Sequence, residues 1–495
     1  MARELRWLWA TLAVSLLYYL TTNVLRRGRG GSGSARRPPG PRPLPLIGNL
    51  LDLRGGNLHH TLARLARAHG APVMRLDLGL LPAVVVSSRE AAREAFTFHD
   101  RRLAARVVPD SQRALNLCDE SMIWLPSSDP LWKTMRGIAA SHVFSPRSLA
   151  ATRAVRERKV RDLLAYLRGR AGKVVDVKEA VFGGVINLVS SVLFSVDVVD
   201  VGAASALGLQ QLVEEVIHAM ARPNVPDLFP FLRALDLQGW RRWVEGHVPK
   251  ILQVLDGIID CRLARVDEHK DGDFLDVLLQ LESAGKISRE NVRFIMFDLF
   301  IAGSDGVAVT AEWAMAELLR NPSVMAKLRA EVKHAVEEAD VAGLPYLQAV
   351  VKEAMRLHPV GPLLLPQKAV EDGVEIGGYA VPRGCMVIFN SWAIMRDPAA
   401  WDRPHDFVPE RFLDKDDMDF RGKQFEFLPF GSGRRLCPGM PMAELVVPHI
   451  VASLVHAFES QLPSGMSAEQ VDVSERFTGA NVVAFPLKAV PVIVT

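Results

Sequence analysis

The chain has 495 residues, 49% of them hydrophobic, so a large buried core is available. Its 59 Lys and Arg stand against 56 Asp and Glu, and a formal charge of +3 gives no basis for nucleic-acid binding. The four cysteines (Cys118, Cys261, Cys385, Cys437) form no C-x-x-C pair and none of the 13 histidines stands in H-E-x-x-H, which argues against a disulfide scaffold and a zinc hydrolase.

Residues 5–25 are dominated by apolar side chains and end in Leu25-Arg26-Arg27. At ~1.5 Å per residue the run is about 31 Å long, enough for a ~30 Å hydrocarbon core. Arg26, Arg27, Arg29, Arg36 and Arg37 follow, so residues 1–25 are expected to be a single membrane anchor with the bulk of the chain cytosolic. A cleaved signal peptide is the competing reading, but Arg26-Arg27-Gly28 is a poor cleavage site. Residues 26–48 read as a basic, Pro/Gly-rich hinge: 28–34 are Gly/Ser-rich, and Pro38-Pro39-Gly40-Pro41 is stiff and extended. Residues 49–495 form the remaining domain.

Leu62, Leu65 and Ala66 share one face of a short helix ending near Gly70. Residues 73–78 alternate and 83–86 are β-branched, with Gly79 and Pro82 between them, which predicts a hairpin. Ser87-Ser88-Arg89-Glu90 reads as a capping box. Residues 102–124 lack a period and read as a loop. Trp132 and Arg136 lie four apart on one helix face. Residues 157–290 are helical in pattern, broken by Pro223, Pro226, Pro230 and Pro249. Residues 288–321 make the longest helix, stopped by Pro322. Inside it Ala302, Gly303 and Gly306 would let a flat ring lie against the backbone, although each glycine costs about 1 kcal/mol relative to Ala. Glu353 and Arg356 share a helix face, Pro409-Glu410-Arg411-Phe412 follows, and 375–380 and 386–389 read as strands.

Phe430-Gly431-Ser432-Gly433-Arg434-Arg435-Leu436-Cys437-Pro438-Gly439 then leads into an apolar, helix-like run over 440–458. Glycines allow a close approach to a flat object, and arginines offer planar donors to anions. A cysteine at a helix N-terminus is biased toward thiolate. Together these suit an axial thiolate for haem iron, with an arginine on a propionate. The spacing Phe430, Gly433, Arg435, Cys437, Gly439 resembles the haem-binding loop of the cytochrome P450 family.

That resemblance covers 38–495 and implies a mainly α fold with a small β-rich lobe and an N-terminal transmembrane helix in the endoplasmic reticulum. It implies a haem-thiolate monooxygenase containing haem b, using O2 and electrons from an NADPH–cytochrome P450 reductase. The chain has no G-x-G-x-x-G after a strand, so electrons are expected from that partner. Cys437 becomes the iron ligand. Trp132, Arg136, Ala302, Phe430, Arg435 and Gly439 become cofactor contacts. Glu353, Arg356 and Arg411 resemble a buried structural triad. Residues 302–307 resemble the oxygen-binding kink Ala-Gly-x-Asp-Thr-Thr/Ser, where the threonine helps bind dioxygen and deliver protons. Asp305 is kept for the proton path, but Gly306 and Val307 stand at the two hydroxyl positions. Gln367 occupies a position often held by Arg or His toward a propionate, with Lys368 as a replacement. Lys133, Arg136 and Arg434 are docking candidates. Phe297, Ile301, Val360, Leu364 and Phe477 are expected substrate contacts, and their apolar character implies a hydrophobic small molecule. Leu344-Pro345-Tyr346-Leu347-Gln348-Ala349 and Leu363-Leu364-Leu365-Pro366 are similar to the geraniol hydroxylase and labdane-type diterpenoid hydroxylase group, which implies a terpenoid. The loss of the threonine leaves open a haem-thiolate isomerase or dehydratase, and a non-catalytic haem-binding relic.

Overall fold

The alternating run after Gly70 builds the first hairpin of the small lobe. Val73–Leu78 pairs antiparallel with Leu81–Val86, which runs parallel to Met386–Phe389. Gln367–Lys368 and Ala105–Arg106 complete a five-stranded sheet. Pro82 sits inside the second strand, opposite Asp77, rather than in the turn as its position suggested. The following helix, Arg89–Phe98, is capped by Ser88, whose hydroxyl accepts from the Ala91 amide at 3.3 Å. Ser87 is therefore not the capping residue: the cap falls one position later.

The computed structural model describes residues 36–222, 224–264, 272–334, 337–413, 415 and 418–494. The expected anchor, residues 1–25, lies outside the described residues. The described part of the hinge is bound to the body. Arg75 donates its amide to Pro39 O at 2.8 Å and Asn49 donates to Asp77 O at 2.7 Å. Gly48 turns at φ +60 where a Cβ would collide with the Asp77 carbonyl.

The rest is mainly helical. Val177–Phe194, Arg289–Arg320 and Met440–Ala457 are long and apolar enough to cross a membrane, but 89%, 78% and 67% of their apolar windows are buried inside the protein. They are core helices, and the central one, Arg289–Arg320, packs on both others. Its start is a capping box of Ser288 and Asn291. Pro249 does not break the chain as expected; it lies inside the helix Trp240–Ala264. Pro223 lies outside the described residues. Residues 102–124 are not one loop but a strand, Ala105–Arg106, and short helical turns at Asp110–Asn116 and Leu117–Glu120.

Glu353 is fully buried and accepts from Arg356 Nε at 2.7 Å and from Arg411 Nε at 2.9 Å. Arg356 also donates to Met395 O and Pro404 O, each at 2.9 Å. The group thus ties the helix Pro345–Leu357 to the irregular chain before the cysteine loop.

Candidate active site

A cavity of ≈ 420 Å³ lies between the central helix and the cysteine loop. On the loop side, Cys437 lines it. The Cys437 amide donates to Phe430 O at 3.1 Å, closing the turn. Gly433 has φ +67, a backbone conformation that favours glycine, and a Cβ there would also displace the Asp100 carboxylate. Burial pushes the Cys437 thiol up, against the Gly439 and Met440 amides and Arg136, which pull it down. The helix N-terminus biases this cysteine toward thiolate as expected, but burial alone outweighs it. A bound cation would reverse that balance.

Three guanidinium groups share the next stretch of wall. Arg435 donates Nε to Ala104 O at 2.7 Å and Nη1 to Met122 O at 3.2 Å, and also bonds Leu125 O. Arg136 donates to Leu436 O at 2.9 Å. Their guanidinium carbons lie 4.9 and 5.6 Å from the Trp132 ring centroid. The Trp132 indole donates to Met122 O at 3.1 Å. The third group, Arg106, donates to Leu365 O at 2.5 Å and pairs across the sheet with Gln367, which also lines the cavity. Lys368 does not line it. Burial, then the charge of Arg136, lowers Arg435 to about 10, and burial, then the charges of Arg435 and Arg136, lowers Arg106 to about 9. Each guanidinium bonds backbone carbonyls; among the described residues none has a carboxylate within ion-pair distance. Such a cluster fits a ligand bearing carboxylates, as the propionates of haem do. Sequence reasoning missed Arg106, because its segment has no period and only the strand pairing brings it to the wall.

On the other side, Leu299, Ala302, Gly303, Gly306, Val307 and Thr310 line the cavity. At ~100° per residue these positions share one helix face. Phe297, Ile301 and Asp305 recur at i, i+4, i+8 on the opposite face and do not line it. The expected substrate contacts Phe297 and Ile301 are thus core residues, 3% and 2% exposed. Phe477 is also displaced. Its amide donates to Asn57 Oδ1 at 2.9 Å and its ring packs edge-on to His59, within the small lobe. The neighbouring Glu475 holds that strand down by accepting from His60 at 2.6 Å and from His59 at 3.0 Å. Val360 and Leu364 do line the cavity, and Leu364 adopts φ +46, an uncommon conformation for a branched residue.

A Cβ at Gly306 would meet nothing within 4 Å. Thr310, one turn on and 4% exposed, donates its hydroxyl to Gly306 O at 2.7 Å. It is the hydroxyl residue on the distal wall, since the Ser304 hydroxyl points back to Phe300 O at 2.7 Å. Behind the wall, Asp305 Oδ1 lies 4.0 Å from Lys178 Nζ, which contacts Glu214 at 2.8 Å. Burial pushes Asp305 up to about 6 and Glu312 to about 7. Of the docking candidates, Lys133 is exposed, Arg434 is paired with Asp100 at 3.2 Å, and Arg136 faces the cavity rather than an outer surface.

A cysteine facing a glycine-lined helix across an apolar cavity, with an arginine cluster at its edge, defines a haem-thiolate oxygenase site. The cytochrome P450 family matches residues 38–482, and the chain belongs to it. It is 65% identical over 499 residues to cytochrome P450 76M5 of Oryza sativa subsp. japonica, covering 99% of each chain. It is 58% identical over 496 residues to ent-cassadiene C11-alpha-hydroxylase 1 of the same species, covering 98% of each. It is 41% identical over 500 residues to carnosic acid synthase of Rosmarinus officinalis, again covering 98% of each. The chain is therefore a cytochrome P450 monooxygenase of the plant type.

Proposed function

We propose that this enzyme hydroxylates a terpenoid. The observation that carries the proposal is the apolar lining of the cavity on the side away from Cys437, where Leu299, Val307, Val360 and Leu364 meet small residues of the central helix. Apolar walls with few polar groups select a hydrocarbon-like substrate by desolvation. The names of ent-cassadiene C11-alpha-hydroxylase 1 and carnosic acid synthase support the same class.

Haem b would be held by Cys437, with Arg106, Arg136 and Arg435 placed to bind its carboxylates, and it would supply oxygen activation and insertion. Trp132 braces two of the guanidiniums, while Phe430, Gly439 and Ala302 leave room for a planar ring. Val360 and Leu364 orient the substrate and exclude water. Thr310 holds a proton at its Oγ1 on the oxygen side. Asp305 holds a proton behind that wall, in a row with Lys178 and Glu214. Electrons come from an NADPH–cytochrome P450 reductase that docks on the cysteine side, with Lys133 at its face. The chain is organised as an endoplasmic-reticulum anchor (1–25), a hinge (26–48) and a cytosolic catalytic domain (49–495).

The test is co-expression with a plant reductase and a screen of diterpene hydrocarbons, beginning with ent-cassadiene. NADPH-dependent appearance of a mono-oxygenated product is the expected result. Equal product without NADPH would establish an isomerase or dehydratase instead, and a thiolate-type carbon monoxide spectrum with no turnover across the screen would establish a relic.

A further inference from the structure

Asp298 is a carboxylate on the central helix, 1% exposed, at the cavity wall beside Leu299. Nothing in the oxygenase reading uses it. Among the described residues it has no ion-pair partner, and burial pushes it up to about 7. Its hydrogen bonds come from one segment instead. Oδ1 accepts from the Ser121 hydroxyl at 2.7 Å, and Oδ2 accepts from the Met122 amide at 2.7 Å. Ser121 Oγ in turn accepts from the Ile123 amide at 3.2 Å.

The same segment has a second attachment. The Met122 carbonyl accepts from the Trp132 indole at 3.1 Å and from Arg435 Nη1 at 3.2 Å, and the Leu125 carbonyl accepts from the Arg435 guanidinium as well. Met122 therefore joins Asp298 through its N–H and Trp132 and Arg435 through its C=O. Met122 and Ile123 both line the cavity. An unpaired carboxylate is costly to bury, and its retention in an apolar wall requires donors whose placement it in turn dictates.

We propose that Asp298 is a positioning residue that clamps residues 121–123, and through the Met122 carbonyl sets the orientation of Trp132 and Arg435. One buried carboxylate then controls two things: the shape of the substrate wall at Met122 and Ile123, and the seating of the cofactor's carboxylates. The second consequence rests on the haem reading proposed above; the clamp itself does not.

The test uses the full chain with Asp298→Asn and Ser121→Ala. Asn replaces the two carboxylate acceptors with one neutral acceptor and an NH2, which weakens the bond to the Met122 amide or opposes it; Ser121→Ala removes one donor to the carboxylate and the acceptor of the Ile123 amide. Hydrogen exchange at the Met122 and Ile123 amides is expected to accelerate at least about tenfold in both, equivalent to losing one hydrogen bond to a charged group. Haem transfer to an acceptor apoprotein is expected to quicken about tenfold in Asp298→Asn and less in Ser121→Ala. Substrate dissociation constants from spectral titration should rise in the same order. Exchange within twofold of wild type in both variants overturns the clamp. Accelerated exchange with unchanged haem transfer overturns the coupling to Arg435. A wild-type protein without thiolate-type haem absorption would sink the oxygenase reading, while the exchange data would still decide the clamp.

Discussion

The two walls of the cavity are built on different principles. The cysteine wall is set by local backbone turns, Gly433 at φ +67 and the Cys437 amide on Phe430 O, and is then tied to distant chain by Arg435 on three carbonyls. Cys437 itself is placed within ten residues of chain. The central-helix wall has no such local constraint. It is an unbroken helix from Arg289 to Arg320, and what faces the cavity is decided by phase alone. A short motif can therefore specify the first wall, while the second tolerates a glycine where a hydroxyl is expected, provided the face stays small.

The contrast breaks most sharply at the cysteine. Cys437→Ser is expected to abolish the thiolate-type carbon monoxide difference band, because an alcohol is a far weaker anionic ligand. Retention of the band in purified protein would remove Cys437 as ligand. The next effect in size is structural. Glu353→Ala leaves Arg356, itself fully buried, without its carboxylate. Breaking such a pair costs about 3–5 kcal/mol. The expected readout is loss of soluble, haem-loaded protein, or a large drop in Tm; a drop of only 1–2 °C would show that the Met395 and Pro404 carbonyls suffice.

The same contrast explains what could be read in advance. The cysteine loop, the helix carrying Trp132 and Arg136, and the hairpin at 73–86 follow from local spacing and turn residues. Glu353 and Arg356 show as a helix pair, but Arg411, 58 residues on, joins them only by resemblance or by structure. Phe297 and Ile301 are core residues rather than substrate contacts, and helix phase already implies it: counting from Gly303 and Gly306 puts both on the far face. Arg106 was not legible, since its place depends on pairing with Gln367, 261 positions away, through a two-residue strand. Phe477 was lost for a similar reason, because the buried Glu475–histidine cluster that turns its strand toward the small lobe joins residues over 400 apart.

The distal wall yields a smaller, directional test. Since a Cβ at Gly306 meets open space, Gly306→Thr should fold, and it places a hydroxyl one turn before Thr310. The expected outcome is a severalfold lower ratio of peroxide released to NADPH consumed. Thr310→Val should move that ratio the other way, by a comparable factor. If Gly306→Thr has no effect while Thr310→Val raises peroxide, the hydroxyl function has moved along the helix and the extra one is redundant. If neither changes the ratio, protons reach this wall through water alone.

The smallest effect concerns the carboxylate behind the wall. Burial raises Asp305 from an ordinary 3.8 to about 6 in the folded protein. Between those values the native state holds a proton that the unfolded state has lost, so this group makes stability fall as pH rises, with the full penalty present above about 6. About two pKa units correspond to roughly 3 kcal/mol as an upper bound. That figure already sets the attraction to Lys178, which keeps Glu214 at 2.8 Å, against burial. Relaxation around the charged group in the native protein makes the expected gain from Asp305→Asn smaller, about 1 kcal/mol at pH 7.5 and close to zero at pH 4. Tm measured for both proteins across that range checks the sign: the difference should open as pH rises. A variant less stable than wild type at pH 7.5 would mean that the Lys178 ion pair outweighs desolvation. Asp305 would then hold the Lys178–Glu214 row in place as a charged residue, rather than taking up protons near neutral pH.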